Sequence, residues 1–273
     1  MGRVEEKRSN SLFEALTEVV RYRELLLSLG TREIKARYKQ TFFGIMWSIF
    51  PALATMLIFT FINKLKIIDI ESGSIPYPVF AYCGLLPWTF FANALTGATT
   101  SLVSYSDIIN KIYFPREIIP FSIIVSKLID LFIGFVIFVL LALYYQVKLP
   151  VTIVALPFIV LLQVIFVAGF SLLFSMANLF YHDVSYIVTV SIPLMMFVTP
   201  VVYPIKVNSL QWYQALTIFN PMVPITDAYR DVLLFGRWPN MQALSIPICL
   251  CVVLFIAGLI LFHKTEHLFA ENI

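Results

Sequence analysis

Few side chains in this sequence have the types and spacing needed for acid–base or metal chemistry. The chain has three histidines, His182, His263 and His267, and its carboxylates fall mostly in polar segments. None of them shows the spacing of a metal-binding motif. His263 and His267 are four residues apart and would share one helix face, but such a pair is more typical of surface residues. We therefore predict neither a catalytic residue nor a metal site.

The sequence also lacks a nucleotide-binding loop. A P-loop ends its glycine-rich turn with Gly-Lys, and none of the ten glycines is followed by lysine. We expect no cofactor to be bound by this chain. Any ATP and Mg that its activity uses must then be bound by a partner subunit.

The densest charges are four cations, Arg32, Lys35, Arg37 and Lys39, directly before an apolar run over residues 42–62. At about 1.5 Å rise per residue, about 20 apolar residues cross a hydrocarbon core about 30 Å thick. Cations in front of such a helix typically stay in the cytoplasm. They could also compensate an anionic lipid head group.

Two opposite charges, Lys127 and Asp130, fall inside a predicted span. Charges within a membrane often mark function, but neighbours three residues apart on a helix can also neutralise each other. We favour the local structural pair.

Composition indicates a polytopic membrane protein. Hydrophobic residues make up 60% of the 273 residues and charged residues 13%, with a mean hydropathy of +0.88. The net charge of +3 does not suggest a nucleic-acid partner, because acidic residues are interleaved with the N-terminal cations. Three cysteines, Cys83, Cys249 and Cys251, lie in apolar stretches and predict buried thiols rather than disulfides.

Six transmembrane helices are predicted. They cover residues 42–62, 79–103, 121–145, 152–180, 185–202 and 243–262. An amphipathic interface helix over residues 12–29, ended by Gly30, precedes them, and residues 203–242 predict re-entrant helices broken at Asn220-Pro221 and at Pro224. With twelve lysines and arginines in cytoplasmic segments and six in external ones, both termini are expected in the cytoplasm.

The fold prediction is therefore one all-α integral membrane domain over residues 1–273. It comprises a cytoplasmic amphipathic and basic segment (1–41), a six-helix membrane region (42–262) and a cytoplasmic tail (263–273).

Ordered motifs along nearly the whole chain resemble the permease of type-2 ABC exporters for bacterial surface polysaccharides, the O-antigen, capsule and teichoic-acid exporters. The motifs are residues 32–39 (REIKARYK), 43–47 (FGIMW), 84–91 (GLLPWTFF), 181–184 (YHDV), 199–203 (TPVVY) and 220–222 (NPM), with Pro51 and Pro224. One departure is His182, where the family more often has arginine.

The resemblance implies a channel-forming subunit of the inner membrane that is not itself an enzyme. Two copies would assemble with two ATPase subunits and move a polysaccharide on a polyprenyl-diphosphate carrier outward. Substrate-path candidates are Arg37, Lys39, Trp47, Trp88, Phe90, Phe91 and Tyr203, although interfacial anchoring is the usual role of such aromatics.

The resemblance also implies two mechanical regions. A coupling helix over residues 106–114 would dock on the ATPase through Asp107, Ile108, Asn110, Lys111 and Tyr113. The external gate would include Asn220, Pro221, Asp227 and Arg230.

Two other functions stay open at this point. One is export of drugs or other small molecules by the same architecture. The other is a membrane enzyme acting on lipid-linked precursors, which the lack of clustered acids, bases or metal ligands disfavours.

Overall fold

Every regular element in the described part of the chain is a helix. The structure is a computed structural model that describes residues 12–44, 46–67, 70, 73–109, 111, 114–204, 210–266 and 269. Its helices are α1 (Leu12–Arg21), α2 (Arg23–Tyr38), α3 (Met46–Lys64), α4 (Tyr77–Ser104), α5 (Ser106–Ile109), α6 (Ile118–Tyr144), α7 (Leu156–Phe180), α8 (Asp183–Val198), α9 (Leu210–Phe219), α10 (Met222–Arg230) and α11 (Met241–Thr265). A 3-10 turn over Val151–Ala155 leads into α7, and a π-helical turn over Asp231–Phe235 extends α10.

Five helices of the described residues are long and apolar enough to cross a membrane: α3, α4, α6, α7 with its 3-10 turn, and α11. The predicted span over residues 185–202 corresponds to α8, whose 16 residues rise only about 24 Å. This helix ends at Val198 because Thr199 precedes Pro200 and adopts an extended backbone, as the proline ring favours. The all-α membrane fold is confirmed, with five full-length spans and one shorter apolar helix.

Helix α4 lies at the centre of the bundle, where it packs on α3, α6, α7, α8 and α10. Its small residues serve close packing. A Cβ atom on Gly84 would lie 2.0 Å from the carbonyl oxygen of Val201, and one on Gly97 would lie 2.9 Å from Ile123 Cγ2. These glycines therefore let other segments approach α4 within one chain.

The contact between α7 and α11 also depends on small residues. A Cβ atom on Gly169 would lie 2.8 Å from the backbone nitrogen of Phe255, and one on Gly258 would lie 2.9 Å from the carbonyl oxygen of Gly169. The two helix backbones thus meet directly, as is common between membrane-spanning helices.

The N-terminal helices differ from the prediction at Gly30. The break between α1 and α2 falls at Tyr22, whereas Gly30 and Thr31 lie inside α2. Gly30 is buried against α6, and a Cβ atom there would lie 3.3 Å from the carbonyl oxygen of Ser122. The prediction that Gly30 ends the helix is wrong because this glycine provides a close contact rather than a helix stop.

The basic segment does not continue into the first span as one helix. Helix α2 ends at Tyr38 and α3 begins at Met46. Between them, Gln40 and Gly44 have backbone φ angles of 62° and 51°. This turn lets α2 pack on α6 while α3 packs chiefly on α4.

The segment between α8 and α11 forms two short helices, α9 and α10, as predicted. They are separated at Asn220-Pro221, but Pro224 does not break the chain again. It lies in the first turn of α10, where a missing backbone donor is tolerated.

Candidate functional site

The charged groups of α2 and α6 meet through Arg37 and Asp130. Arg37 Nη1 donates to Asp130 Oδ2 at 2.7 Å, and its Nη2 donates to Ser126 Oγ at 3.3 Å. The hydroxyl of Tyr38 donates to the other Asp130 oxygen, Oδ1, at 3.1 Å. Both carboxylate oxygens of Asp130 are therefore satisfied by the last turn of α2.

The predicted pair of Lys127 and Asp130 is present but is not the main contact. Lys127 Nζ lies 3.9 Å from Asp130 Oδ2, compared with 2.7 Å for Arg37. Asp130 therefore contacts both cations, and the nearer one, Arg37, belongs to another helix.

A second carboxylate, Glu33, extends the network toward the end of α4. Glu33 Oε1 lies 3.5 Å from Arg37 Nη2, and Glu33 Oε2 accepts a hydrogen bond of 3.0 Å from the hydroxyl of Tyr105. Burial, followed by the negative charge of Glu33, raises the pKa of Tyr105 to about 12. The phenol therefore stays protonated and acts as a donor at neutral pH.

A cavity of about 230 Å³ opens beside this network, between α2, α3, α4 and α6. Its wall combines charged, polar and aromatic groups. The lining residues are Arg37, Tyr38, Thr41, Trp47, Ser48, Pro51, Asn93, Lys127 and Asp130. Such a lining suits a polar ligand or water better than a lipid chain.

The opposite side of α2 carries exposed cations. Arg32, Lys35 and Lys39 lie with Ser28 and Thr31 along a groove of about 370 Å³. Arg32 and Lys35, three residues apart, share one face of α2, and Lys39 directly follows the end of that helix. We call this surface the basic groove.

The two predicted head-group residues, Arg37 and Lys39, therefore do not form one site. Arg37 belongs to the ion-pair network on the α6 side, whereas Lys39 belongs to the basic groove. The cations that lie beside Lys39 are Arg32 and Lys35 rather than the predicted Arg37.

Of the predicted aromatic candidates, Trp88, Phe90 and Phe91 are buried, with exposed fractions of 4%, 3% and 2%. Phe91 stacks on Phe166 at a centroid distance of 5.7 Å. These three rings point from α4 into the core, and their burial indicates a packing role. Neither interfacial anchoring nor direct substrate contact fits such burial in a single chain.

Trp47 and Tyr203 lie closer to the surface. Trp47 lines the 230 Å³ cavity and makes edge contacts with Phe43 and Phe50. The hydroxyl of Tyr203 donates to the carbonyl oxygen of Phe197. Of the predicted aromatic set, only these two keep partly accessible rings.

The predicted external-gate residues form a buried polar cluster around Arg230. Arg230 Nη2 donates to the carbonyl oxygen of Val201 at 2.6 Å, Nη1 donates to that of Tyr203 at 3.4 Å, and the guanidinium lies 4.1 Å from the centroid of the Phe80 ring. Asp227 lies 3.6 Å from Arg230. These contacts fix the turn after α8 between α4 and α10.

Asn220 and Pro221 form the corner before α10. Asn220 Nδ2 donates to Thr199 Oγ1 at 2.7 Å, and Asn220 Oδ1 accepts from the backbone nitrogen of Met222 at 3.1 Å. Pro221 is the residue that precedes the first turn of α10. Asn220 and Arg230, which lie at opposite ends of α10, thus both contact residues 199–203.

The predicted coupling helix is shorter than expected. Helix α5 covers only Ser106–Ile109, with Asp107 exposed and Ile108 half-buried. Lys111 is exposed in the following turn, while Asn110 and Tyr113 lie outside the described residues.

The histidines do not behave alike. His182 is exposed in the turn between α7 and α8, whereas His263 lies near Glu117 and Glu266. His267 is outside the described residues. The cluster around His263 could not be predicted from the spacing of residues, because Glu117 is far from His263 in the sequence.

The bundle of apolar helices defines a multi-pass integral membrane protein. The chain belongs to the ABC-2 type transporter family, whose sequence profile matches residues 24–234. This region runs from the start of α2 into the π-helical turn after α10. The predicted resemblance is thereby confirmed.

Two relatives cover most of the chain. An "O-antigen export system permease protein RfbA" of Myxococcus xanthus is 28% identical over 264 residues, covering 96% of this chain and 100% of the relative. A protein of the same name from Klebsiella pneumoniae is 31% identical over 250 residues, covering 91% of this chain and 94% of the relative.

Proposed function

We propose that this chain is the membrane permease of an ATP-driven exporter that moves a polyprenyl-diphosphate-linked polysaccharide of the O-antigen class outward across the inner membrane. The observation that carries the proposal is similarity to O-antigen export permeases over 96% and 91% of this chain. Two copies of the chain assemble with two ATPase subunits, which bind ATP and Mg. The absence of a Gly-Lys pair in the sequence supports this division of labour.

The basic groove is the proposed site for the lipid diphosphate. Arg32 and Lys35 present exposed cations on one face of α2, and Lys39 adds a third in the turn into α3. Phosphate groups form short charge-assisted hydrogen bonds with arginine and lysine. The ion-paired Arg37 supports the groove indirectly, since it holds α2 against α6.

The glycan follows the diphosphate past partly exposed polar and aromatic groups. Trp47 and the cavity beside Asp130 are the proposed early contacts, and Tyr203 is the proposed late one. The α9–α10 segment borders the external gate. ATP-driven movement of the ATPases reaches the spans as a rigid-body shift through α5 and Lys111.

Export should be tested with a triple variant of the basic groove, R32Q/K35Q/K39Q. The matched control is R21Q/R23Q, which removes two exposed cations from the α1–α2 boundary. We expect the triple variant to insert normally and to lose most export of surface polysaccharide, while the control exports normally.

Reduced insertion of the triple variant with unchanged export per inserted molecule would assign the groove to membrane anchoring. Normal export by the triple variant would also contradict the head-group site.

The ATPase partnership should be tested by co-purification. We expect the chain to bring down the ATPase encoded beside it, and D107A/K111A to weaken that complex or uncouple its ATP hydrolysis. K148A is the control, because Lys148 is exposed in the turn between α6 and α7. A chain that transports or modifies a substrate without any ATPase would contradict the proposed function.

A further inference from the structure

A cluster of possible metal ligands joins the start of α6 to the end of α11. Glu117 directly precedes α6, His263 lies in the last turn of α11 and Glu266 directly follows that helix. His263 Nδ1 lies 3.8 Å from Glu117 Oε1 and 4.0 Å from Glu266 Oε2. One ligand atom from each residue lies within 4.8 Å of the others.

These separations are too long for a direct hydrogen bond from His263 Nδ1 to Glu117 Oε1 or Glu266 Oε2. A charge-assisted N–H to oxygen hydrogen bond spans about 2.7–2.9 Å, well below the observed 3.8 and 4.0 Å. Zinc binds nitrogen and oxygen ligands at about 2.0–2.2 Å, so two ligands in tetrahedral positions lie about 3.3–3.5 Å apart. The two His263 pairs are thus a few tenths of an ångström wider than ligand pairs around zinc. With the third pair within 4.8 Å, side-chain rotations of about 1 Å would close the cluster around an ion.

Glu117 provides the second, independent observation. Its side chain is only 3% exposed, and its Oε2 atom has no hydrogen-bond partner among the described residues. Burying a carboxylate without full hydrogen bonding is unfavourable, and bound cations are a common way to compensate it. Its other oxygen is directed at His263.

Arg116 lies beside this cluster and contacts the main chain after α11. Arg116 Nη1 donates to the backbone carbonyl oxygen of Glu266 at 2.5 Å, and its guanidinium lies 5.7 Å from the centroid of the Phe269 ring. The arginine therefore orders the end of α11 through the main chain. The Glu117 and Glu266 carboxylates and the His263 imidazole each offer one ligand atom to the cluster.

We propose that Glu117, His263 and Glu266 bind one divalent transition-metal ion, with Zn²⁺ preferred and water completing its coordination. Imidazole nitrogen and carboxylate oxygen are both zinc ligands, and zinc sites with three protein ligands leave a position for water. The bound ion fastens the end of α11 to the residues that follow α5 and Lys111. It is thus placed to stiffen the coupling region without lying on the substrate path.

The test uses the full-length chain in detergent, purified through a tag without histidine and stripped with EDTA. Calorimetric titration with Zn²⁺ should show one saturable site in the parent protein and loss of that site in E117Q and H263A. H182A is the matched control, since His182 is exposed and is not one of the three clustered residues. It should bind as the parent does.

Co²⁺ provides a readout that needs no variant. The parent should develop the visible absorption of low-coordinate Co²⁺ bound to nitrogen and oxygen, and Zn²⁺ should displace it. Absence of both the Zn²⁺ heat and the Co²⁺ spectrum, or retention of binding by both E117Q and H263A, would overturn the proposal. If H263A does not fold, H263C should restore folding and bind Zn²⁺, because a thiolate replaces the imidazole as ligand.

Discussion

Two arginines near opposite ends of α4 are held in different ways. Near the end of α4, Arg37 pairs with the carboxylates of Asp130 and Glu33, and its side chain is 24% exposed beside an open cavity. Near the start of α4, Arg230 is 3% exposed and donates to backbone carbonyl oxygens over the Phe80 ring. One cation is fixed by side chains and the other mainly by the main chain.

The difference indicates which of the two regions can rearrange. The Arg37 network can exchange partners, because carboxylates, a lysine and the cavity lie within a short distance. The Arg230 contacts cannot be released without moving the turn at residues 199–204 or leaving buried carbonyl groups without donors. We therefore interpret Arg230 as a fixed point of the turn between α8 and α10 and Arg37 as an adjustable contact of the α2–α6 junction.

The largest effect is expected from R230M. Methionine keeps much of the volume but removes the donors for the buried Val201 carbonyl and the partly buried Tyr203 carbonyl, at about 1–3 kcal/mol for each carbonyl left unsatisfied. Relief from burying a guanidinium whose Nε has no hydrogen-bond partner among the described residues offsets part of this loss. We expect a loss of about 3 kcal/mol in the free energy of unfolding, measured by SDS titration in mixed micelles. The control is R237M, because Arg237 is exposed. Equal stability of the two variants would show that Arg230 is not a fixed point.

G84A should produce a smaller loss through the same contact. Its Cβ atom would lie 2.0 Å from the Val201 carbonyl oxygen and 2.8 Å from Arg230 Nη2. Overpacking of this kind costs about 1–3 kcal/mol. Since both changes displace one contact, the double variant G84A/R230M should lose less stability than the sum of the two. If the two losses of stability add exactly in the SDS titration, Gly84 and Arg230 do not act through the same contact with Val201.

The main spans were predictable because they depend on composition over many residues. The fourth predicted span, residues 152–180, nearly coincides with the helical segment that begins at Val151 and ends at Phe180. The corner at Asn220-Pro221 was also predicted, since proline chemistry acts locally. The rule that glycine ends a helix fails at Gly30, because tertiary packing determines the conformation there. Gly30 lies inside α2, where it packs against the Ser122 carbonyl oxygen.

The partners of the charged residues required the tertiary structure. Sequence proximity pairs Asp130 with Lys127, whereas the fold brings Arg37 closer to it. Composition likewise could not show that Trp88 points into the core, because a tryptophan near a predicted membrane boundary is usually an anchor. The candidate head-group site therefore includes the exposed Arg32 and Lys35 instead of Arg37.

D130N tests the adjustable contact at the α2–α6 junction. Asparagine keeps the shape of the side chain but removes the charge that Arg37 contacts at 2.7 Å. Because Arg37 is partly solvated and Glu33 stays 3.5 Å away, we expect a loss of about 1–2 kcal/mol, smaller than for R230M. A double-mutant cycle with R37Q measures the coupling directly. A coupling energy near zero would mean that the observed ion pair contributes nothing to stability.

The smallest effect is expected from K127M, which distinguishes the partner chosen by sequence proximity from the one in the structure. Lys127 lies 3.9 Å from Asp130, so its pair is longer than that of Arg37. Removing it should change the free energy of unfolding by less than about 1 kcal/mol, and its coupling to D130N should be weaker than that of R37Q. Methionine also relieves the cost of burying an ammonium group, which offsets part of the lost attraction. Stronger coupling of Lys127 than of Arg37 to Asp130 would reverse the assignment and make the local α6 pair the stabilising one.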